Sequence, residues 1–260
     1  MGLNIGITER GDAGINLLWK EKLDSVNGVI LITKNITSKF KTGVLKLVEN
    51  NYPFIIHCTC TGWGGTYMEP NVPKYTDQLN ALKDLINLGV DKSKCVLRID
   101  PIIPTQSGFF HIKKVLEYAD EIGLLPIRIR ISIYDEYKHI VERLTSKGLS
   151  PLYKGSMYAP WSMMQETGKF LSELYNKYNI PFETCAEPKL SQHITNSNII
   201  ESTGCISLKD IELMELDIKE VPNTINGQNR FGCMCLTCKK ELLTERHPCP
   251  HKCLYCYWRD

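Results

Sequence analysis

Pro126-Ile-Arg-Ile-Arg-Ile-Ser-Ile133 alternates without a break, with Ile127, Ile129 and Ile131 in one set and Arg128, Arg130 and Ser132 in the other. Successive side chains of a strand point to opposite faces, so this stretch predicts a strand with one apolar and one charged face. The flanking apolar runs repeat the pattern. Cys95-Val-Leu-Arg-Ile-Asp100 puts Arg98 and Asp100 together, and Phe54-Ile-Ile-His-Cys-Thr-Cys-Thr61 does the same for His57, Thr59 and Thr61. Pro181-Phe-Glu-Thr-Cys-Ala186 contributes Glu183 and Cys185, followed by Glu187. Ile55, Cys58, Cys60, Leu97, Ile99 and Phe182 are assigned, with the three isoleucines, to the opposite faces that pack under helices. A polar inner face costs free energy unless its groups are paired. Two readings follow: a lumen that holds a polar ligand, or an ion network that satisfies itself.

Working outward, strands are also expected at about residues 3–8 and at Gly28-Val-Ile-Leu-Ile-Thr33. Helical stretches intervene: one after Glu9-Arg-Gly-Asp-Ala-Gly14, one capped by Thr37-Ser38 and running to about Glu49, and others near 75–88, 109–122, 135–147 and 162–178. Six strands alternating with helices predict a parallel sheet, and right-handed crossovers curl it toward a partial (β/α)6 TIM-like barrel over residues 1–200. Polar groups at the C-terminal strand ends of such a fold form its site. Residues 201–260 break the alternation, with Gly204-Cys205-Ile206, a charged segment from Leu208 to Glu220 and a polar linker to Arg230. From Phe231 onward the chain is rich in cysteine and too poor in apolar residues to fold without metal, so it is expected to lie across the mouth of the barrel.

Composition narrows the function classes. An apolar content of 43% over 260 residues supports a sizeable core, and 31 basic against 29 acidic residues give no global field toward nucleic acid or anionic lipid. No apolar run of about eighteen residues and no signal-like start are present, so a cytoplasmic protein with no membrane partner is expected. Eleven cysteines in a reducing compartment read as metal ligands or small buried hydrophobes, not disulfides.

Six of those cysteines fall between Cys233 and Cys256, and the last three form Cys249-Pro-His-Lys-Cys253-Leu-Tyr-Cys256. This C-x-x-x-C-x-x-C spacing, with Tyr255 as its aromatic, resembles the signature of radical S-adenosylmethionine enzymes. The resemblance implies a 4Fe-4S cluster on Cys249, Cys253 and Cys256 whose open iron chelates S-adenosylmethionine, a barrel of the radical S-adenosylmethionine type, and a reductase or flavodoxin-type electron donor. That family carries its trio near the start of the barrel, whereas here the first βα loop is free of cysteine. Arg98 or Arg130 is a candidate for the methionyl carboxylate, and Asn35, Thr59, Thr61 and Ser132 are candidates for the hydroxyls. Tyr255 is placed against adenine by analogy with the family aromatic.

Over nearly its whole length the chain resembles a bacterial and viral family described only as a domain of unknown function, with such a triad at its C-terminus. The stretches that carry this are Arg10-Gly-Asp12, Thr33-Lys-Asn35, Thr59-Cys-Thr-Gly62, Glu69-Pro-Asn-Val-Pro73, Arg98-Ile-Asp-Pro101 and Thr184-Cys-Ala-Glu187. Gly204-Cys205, Gln228-Asn-Arg230, Cys233-Met-Cys235 and the final Cys249 to Tyr257 continue the series. Thr237-Cys-Lys-Lys-Glu241 departs from the family's Ser-x-Asp-Ile-Gly. Cys185, Cys205, Cys233 and Cys235 are candidates for a second, auxiliary 4Fe-4S cluster, with a structural zinc on Cys233, Cys235, Cys238 and one more cysteine as the competing reading. The alternative function is a non-enzymatic zinc module that grips nucleic acid or a protein through Lys239, Lys240, Arg246, Lys252, Tyr255, Tyr257, Trp258 and Arg259. Nucleic acid is also a candidate substrate of the enzyme.

Overall fold

A computed structural model describes residues 2–194, 196–222, 224–227, 232–245 and 248–258. Gln228-Asn-Arg230, Arg246 and Arg259, named above, lie outside the described residues.

The expected strands form at Ile5–Ile7 (β1), Gly28–Thr33 (β2), Phe54–Thr59 (β3), Cys95–Ile102 (β4), Arg128–Ile133 (β5) and Phe182–Thr184 (β6). Two more complete an eight-stranded sheet: Ile200–Ser202 (β7) and Lys239–Glu241 (β8). Every pairing is parallel, and the order β7-β6-β5-β4-β3-β2-β1-β8 follows the chain except for β8, which adds outside β1. The six-strand expectation is therefore corrected to eight, in an α/β sheet that is not closed into a barrel, with β7 and β8 as its edges. Both additions are three residues long and polar, Ile-Glu-Ser and Lys-Lys-Glu, so neither carries the apolar run that marked the others.

Helices Ser38–Glu49 (α1), Tyr75–Asn87 (α2), Gln106–Glu121 (α3), Lys138–Thr145 (α4) and Trp161–Tyr178 (α5) supply the crossovers. Thr37 caps α1 by accepting the Phe40 N–H at 3.2 Å, as its sequence suggested. Phe40, Leu82, Val115 and Leu171 of these helices share one apolar layer with Val29, Leu31, Ile56, Leu97, Ile129 and Ile131 of the strands. The sheet's other face carries Ile5, Ile7, Ile30, Ile32, Ile55 and Val96, and it is covered by Cys205, Ile206, Ile211, Met214 and Leu236 from the C-terminal segment. Burial on both faces explains why β2 reads as an uninterrupted apolar run. Ile55 thus lies on the inner face with His57, not on the helix-covered face to which it was assigned; its odd number puts it there by simple alternation.

The C-terminal segment does three things. Residues around Cys205 to Leu236 fill the inner face, with Leu208–Leu213 forming a short helix (α6). Lys239–Glu241 then adds to the sheet edge at β1, and residues 248–258 run over the C-terminal strand ends. No helix among the described residues is long and apolar enough to cross a membrane.

Candidate metal centre

The inward residues of β3 to β6 divide by partner and not by depth, since Thr59, Arg98, Arg130 and Glu183 share one register row; the set bound to α6 is the lower half and the set bordering the cavity is the upper half. In the lower half Arg130, fully buried, donates to Glu183 (2.6 Å from Nη2, 3.0 Å from Nε), to Asp210 and to the Cys205 carbonyl, and it touches His57 Nε2 at 3.2 Å. Arg128 binds the same two carboxylates, at 2.8 Å to each. Burial alone would raise the Glu183 pKa, but the Arg130 and Arg128 guanidiniums reverse this and hold it at about 2. Burial, reinforced by the three arginines, pushes His57 well below its ordinary value. A paired ion network is thus the observed arrangement here, although Arg128 Nη1 and His57 Nδ1 have no partner among the described residues; Arg130, with each nitrogen bonded, does not border the cavity described next. Asp210 was overlooked in the sequence, although Ser207-x-x-Asp210 is a capping-box pattern and the box is formed at the start of α6.

In the upper half the polar residues border a cavity of about 410 Å³ at the C-terminal ends of the strands. Arg98 holds Asp100 through Nε at 2.7 Å and through Nη2, and Ser132 donates to the other Asp100 oxygen. Against the cost of burial, Arg98 keeps the Asp100 carboxyl below its usual range. Arg98 Nη2 also lies 3.5 Å from Cys205 Sγ, while Nη1 is buried with no partner among the described residues. Thr59, Arg98, Ser132 and Tyr255 line the cavity; Asn35, Thr61 and Arg130 do not. The Thr61 hydroxyl instead accepts the Trp63 N–H at 3.3 Å, and Asn35 serves the turn after β2 through its backbone.

All three cysteines of the terminal trio border this cavity. Their loop is docked by specific bonds: Leu254 N–H to the Met68 carbonyl at 2.9 Å, Asn71 to the Pro250 carbonyl at 2.6 Å, and Arg143 to the Leu254 and Cys256 carbonyls at 2.8 and 2.9 Å. Cys253, Leu254 and Tyr255 pack with Trp63, Met68, Val72 and Ile103. The Tyr255 hydroxyl meets Glu69 and receives Lys34 at 2.8 Å, and Lys34 pairs with Glu69 at 2.8 Å. Burial pushes the Cys253 thiol up to about 12, opposed by Lys34.

Asp12 ties this loop to the start of the sheet. Its carboxylate accepts the Gly14 N–H (2.8 Å), the Thr33 hydroxyl (2.6 Å), the Lys34 N–H (2.7 Å) and His251 Nε2 (2.8 Å). His251 Nδ1 faces the Asn71 carbonyl at 3.3 Å, so both ring nitrogens meet acceptors; burial opposes protonation, but Asp12 raises the pKa. A Cβ at Gly14 would stand 1.8 Å from the Asn35 carbonyl oxygen, which is why glycine sits in this turn. Asp12, Lys34, Glu69 and His251 were not singled out as site residues, although all four lie in stretches that were. The trio therefore lies against the cysteine-free loop after β1.

The remaining candidates also gather at the cavity. Cys185 from the end of β6, Cys205 from the loop after β7 and Cys235 ahead of β8 bring their sulfurs within 4.8 Å of one another and can hold a metal ion. Cys205 N–H donates to Cys235 Sγ at 3.1 Å, and Cys185 and Cys205 Sγ lie 3.0 Å apart. Hydrogen bonds from Cys185 and Cys205 push the Cys235 thiol down to about 4. Cys233 borders the cavity but stands outside this compact set. Cys58, Cys60 and Cys95 are buried in the helix-covered layer, as their strand positions predicted. All eleven cysteines are free of disulfides.

Among the described residues, the basic and aromatic side chains near the trio do not form one exposed face. Lys239 is buried in a pair with Glu9, and Tyr255 is buried against Glu69, while Tyr257 is half exposed. No curated protein matches the chain. The family described as domain of unknown function DUF1848 matches residues 17–258, nearly the full length over which the tail, the cavity and both cysteine sets are built, and the chain belongs to that family.

Proposed function

We propose that the protein is a radical S-adenosylmethionine enzyme whose 4Fe-4S cluster is carried by Cys249, Cys253 and Cys256. The observation that carries this reading is that the three thiols of one C-x-x-x-C-x-x-C loop all border the large cavity at the C-terminal strand ends, beside the loop after β1. The donor set fits: it offers three thiols and a cavity within the ~300–1,000 Å³ range of small-molecule sites. The cluster with S-adenosylmethionine would supply one-electron cleavage and hydrogen-atom abstraction.

The chain's own residues have the remaining tasks. Arg98, with one buried nitrogen unpaired, is the carboxylate partner in preference to Arg130, and Ser132 and Thr59 offer hydroxyls beside it. The Tyr255 ring borders the cavity while its hydroxyl is held by Glu69 and Lys34, so the ring is fixed for stacking. The docked tail buries Cys253, while Cys249 and Cys256 are half-buried. A reductase or flavodoxin-type donor would deliver the electron in a reducing, cytoplasmic setting.

Anaerobic purification followed by iron, sulfide and zinc analysis tests the reading, together with release of 5'-deoxyadenosine on reduction with S-adenosylmethionine. Iron and sulfide lost with the trio, and reductant-dependent 5'-deoxyadenosine, are expected. Zinc without iron, or salt-sensitive nucleic-acid gel shifts from an iron-free protein, would favour the binding-module alternative.

A further inference from the structure

We propose that Cys185, Cys205 and Cys235 form a second metal site, which holds one divalent ion of the zinc class by three thiolates and keeps its fourth position open to the cavity for a sulfur donor of the substrate. This goes beyond the reading of the terminal trio and does not depend on it.

Three arguments meet at this site. The first is spacing. Three thiolates on one tetrahedral ion at about 2.3 Å are separated by roughly 4 Å; these sulfurs lie within 4.8 Å of one another, with Cys185 and Cys205 at 3.0 Å, so a bound ion would part that pair slightly. In a 4Fe-4S cubane each thiolate bonds a different iron, so the sulfurs stand farther apart; the compact set therefore suits a single ion better than an auxiliary cluster.

The second is how the chain holds the set together. Gly204, at φ 77°, lies so close to the tail that a Cβ would come within 2.6 Å of the Cys235 backbone nitrogen. That approach lets the Cys205 N–H reach Cys235 Sγ, and Arg98 Nη2 reaches Cys205 Sγ at 3.5 Å. N–H donors to thiolate sulfur are the outer partners that orient metal ligands.

The third is access. Cys185 and Cys205 border the same cavity as the terminal trio, whereas Cys235 is fully buried behind them. Cys233, the nearest further thiol in sequence, is not within the compact set, so it leaves the fourth position unfilled. Three thiolates on a divalent ion carry a net charge of about −1, and a fourth makes it about −2; Arg98 and Lys239 stand near Cys205 to offset that charge. A soft thiolate set selects a soft fourth ligand.

The full chain carrying C249A, C253A and C256A, purified anaerobically, isolates this site. About one zinc per chain and no iron are expected by the stoichiometry of a single-ion site. Adding C185S, C205S or C235S should remove the zinc, and adding C233A should keep it. About four irons per chain would overturn the single ion in favour of a cluster. Loss of zinc in C233A would overturn the open position, and absence of metal from a variant with the parent's circular dichroism would overturn the site. Should the triple variant not fold, the zinc X-ray absorption edge of the unaltered chain reads the same shell, with three sulfurs expected and four overturning the proposal. Cobalt(II) loaded into the site and titrated with 2-mercaptoethanol should show a saturable growth of sulfur-to-cobalt charge-transfer absorption; no change would show a closed site. Zinc that persists while the unaltered chain lacks iron would sink the radical reading and leave this one standing.

Discussion

The lower and upper halves of the inner face are built from the same strands and the same kinds of residue, yet they do different work. Below, Arg128, Arg130, Glu183 and Asp210 neutralise one another in a closed network. Above, Arg98, Asp100 and Ser132 border a cavity ringed by thiols. A polar inner face is therefore not by itself a binding site. Partners decide, since Arg98 and Arg130 are register neighbours: Asp210 of α6 closes off Arg130, whereas Arg98 borders the cavity.

The sharpest way to break the comparison is to remove the thiols of the upper half. Replacing Cys249, Cys253 and Cys256 with alanine should abolish 5'-deoxyadenosine release and the iron bound by the trio, while leaving far-ultraviolet circular dichroism unchanged. Residual release above the no-protein control would separate the chemistry from the trio.

The lower half should answer in stability instead. Glu183→Gln removes one of the two carboxylates that Arg128 and Arg130 share and leaves Asp210, and breaking a buried pair costs up to about 3–5 kcal/mol. Denaturant unfolding should show that loss, with metal content per folded chain unaltered. A loss below about 1 kcal/mol would mean that the network is solvated and of the surface kind.

The same network predicts an acid limb. Glu183 has a folded pKa of about 2 against an ordinary 4.5, a depressed carboxylate, so its contribution is present above about 4.5 and is lost as pH falls toward 2. The shift corresponds to about 3 kcal/mol at most. Stability measured from pH 6 to pH 2 should fall through that window, and Glu183→Gln should flatten the fall. An identical acid limb in the variant would place the titration elsewhere.

Much of this was legible in the sequence because β3, β4 and β5 carry period-two alternation over six or more residues and β2 is an uninterrupted apolar run. Helix α1 was placed to the residue by Thr37 and its apolar spacing. The stretches that marked the family also acquire a physical meaning: Asp12, Glu69 and Asn71 are docking points for the tail, and Thr33 holds Asp12. What escaped were β7 and β8, whose pairing is decided by where the tail travels and not by local propensity. An ion network was one of the two readings of the inner face, but its member Asp210 escaped, since alternation reveals which side Arg130 faces and not that Asp210, eighty residues on, meets it.

The smallest predicted effect tests the division within a single strand. Arg130 and Ser132 are consecutive inward residues of β5, one on each side of the boundary. Ser132 donates to Asp100, which Arg98 also holds, so removing the hydroxyl leaves the carboxylate with its guanidinium partner and strands no charge. A lost hydrogen bond of this kind costs about 0.5–1.5 kcal/mol. Because Asp100 and Ser132 border the cavity, that cost should appear where the ligand binds. Ser132→Ala should weaken S-adenosylmethionine binding by roughly three- to tenfold, in proportion to the lost bond, with the unfolding midpoint nearly unmoved. Arg130→Met should do the reverse, shifting stability and leaving affinity alone in the folded fraction. Equilibrium dialysis and denaturant unfolding on the two variants decide the matter: if both move the same quantity, the boundary between the halves does not run between residues 130 and 132.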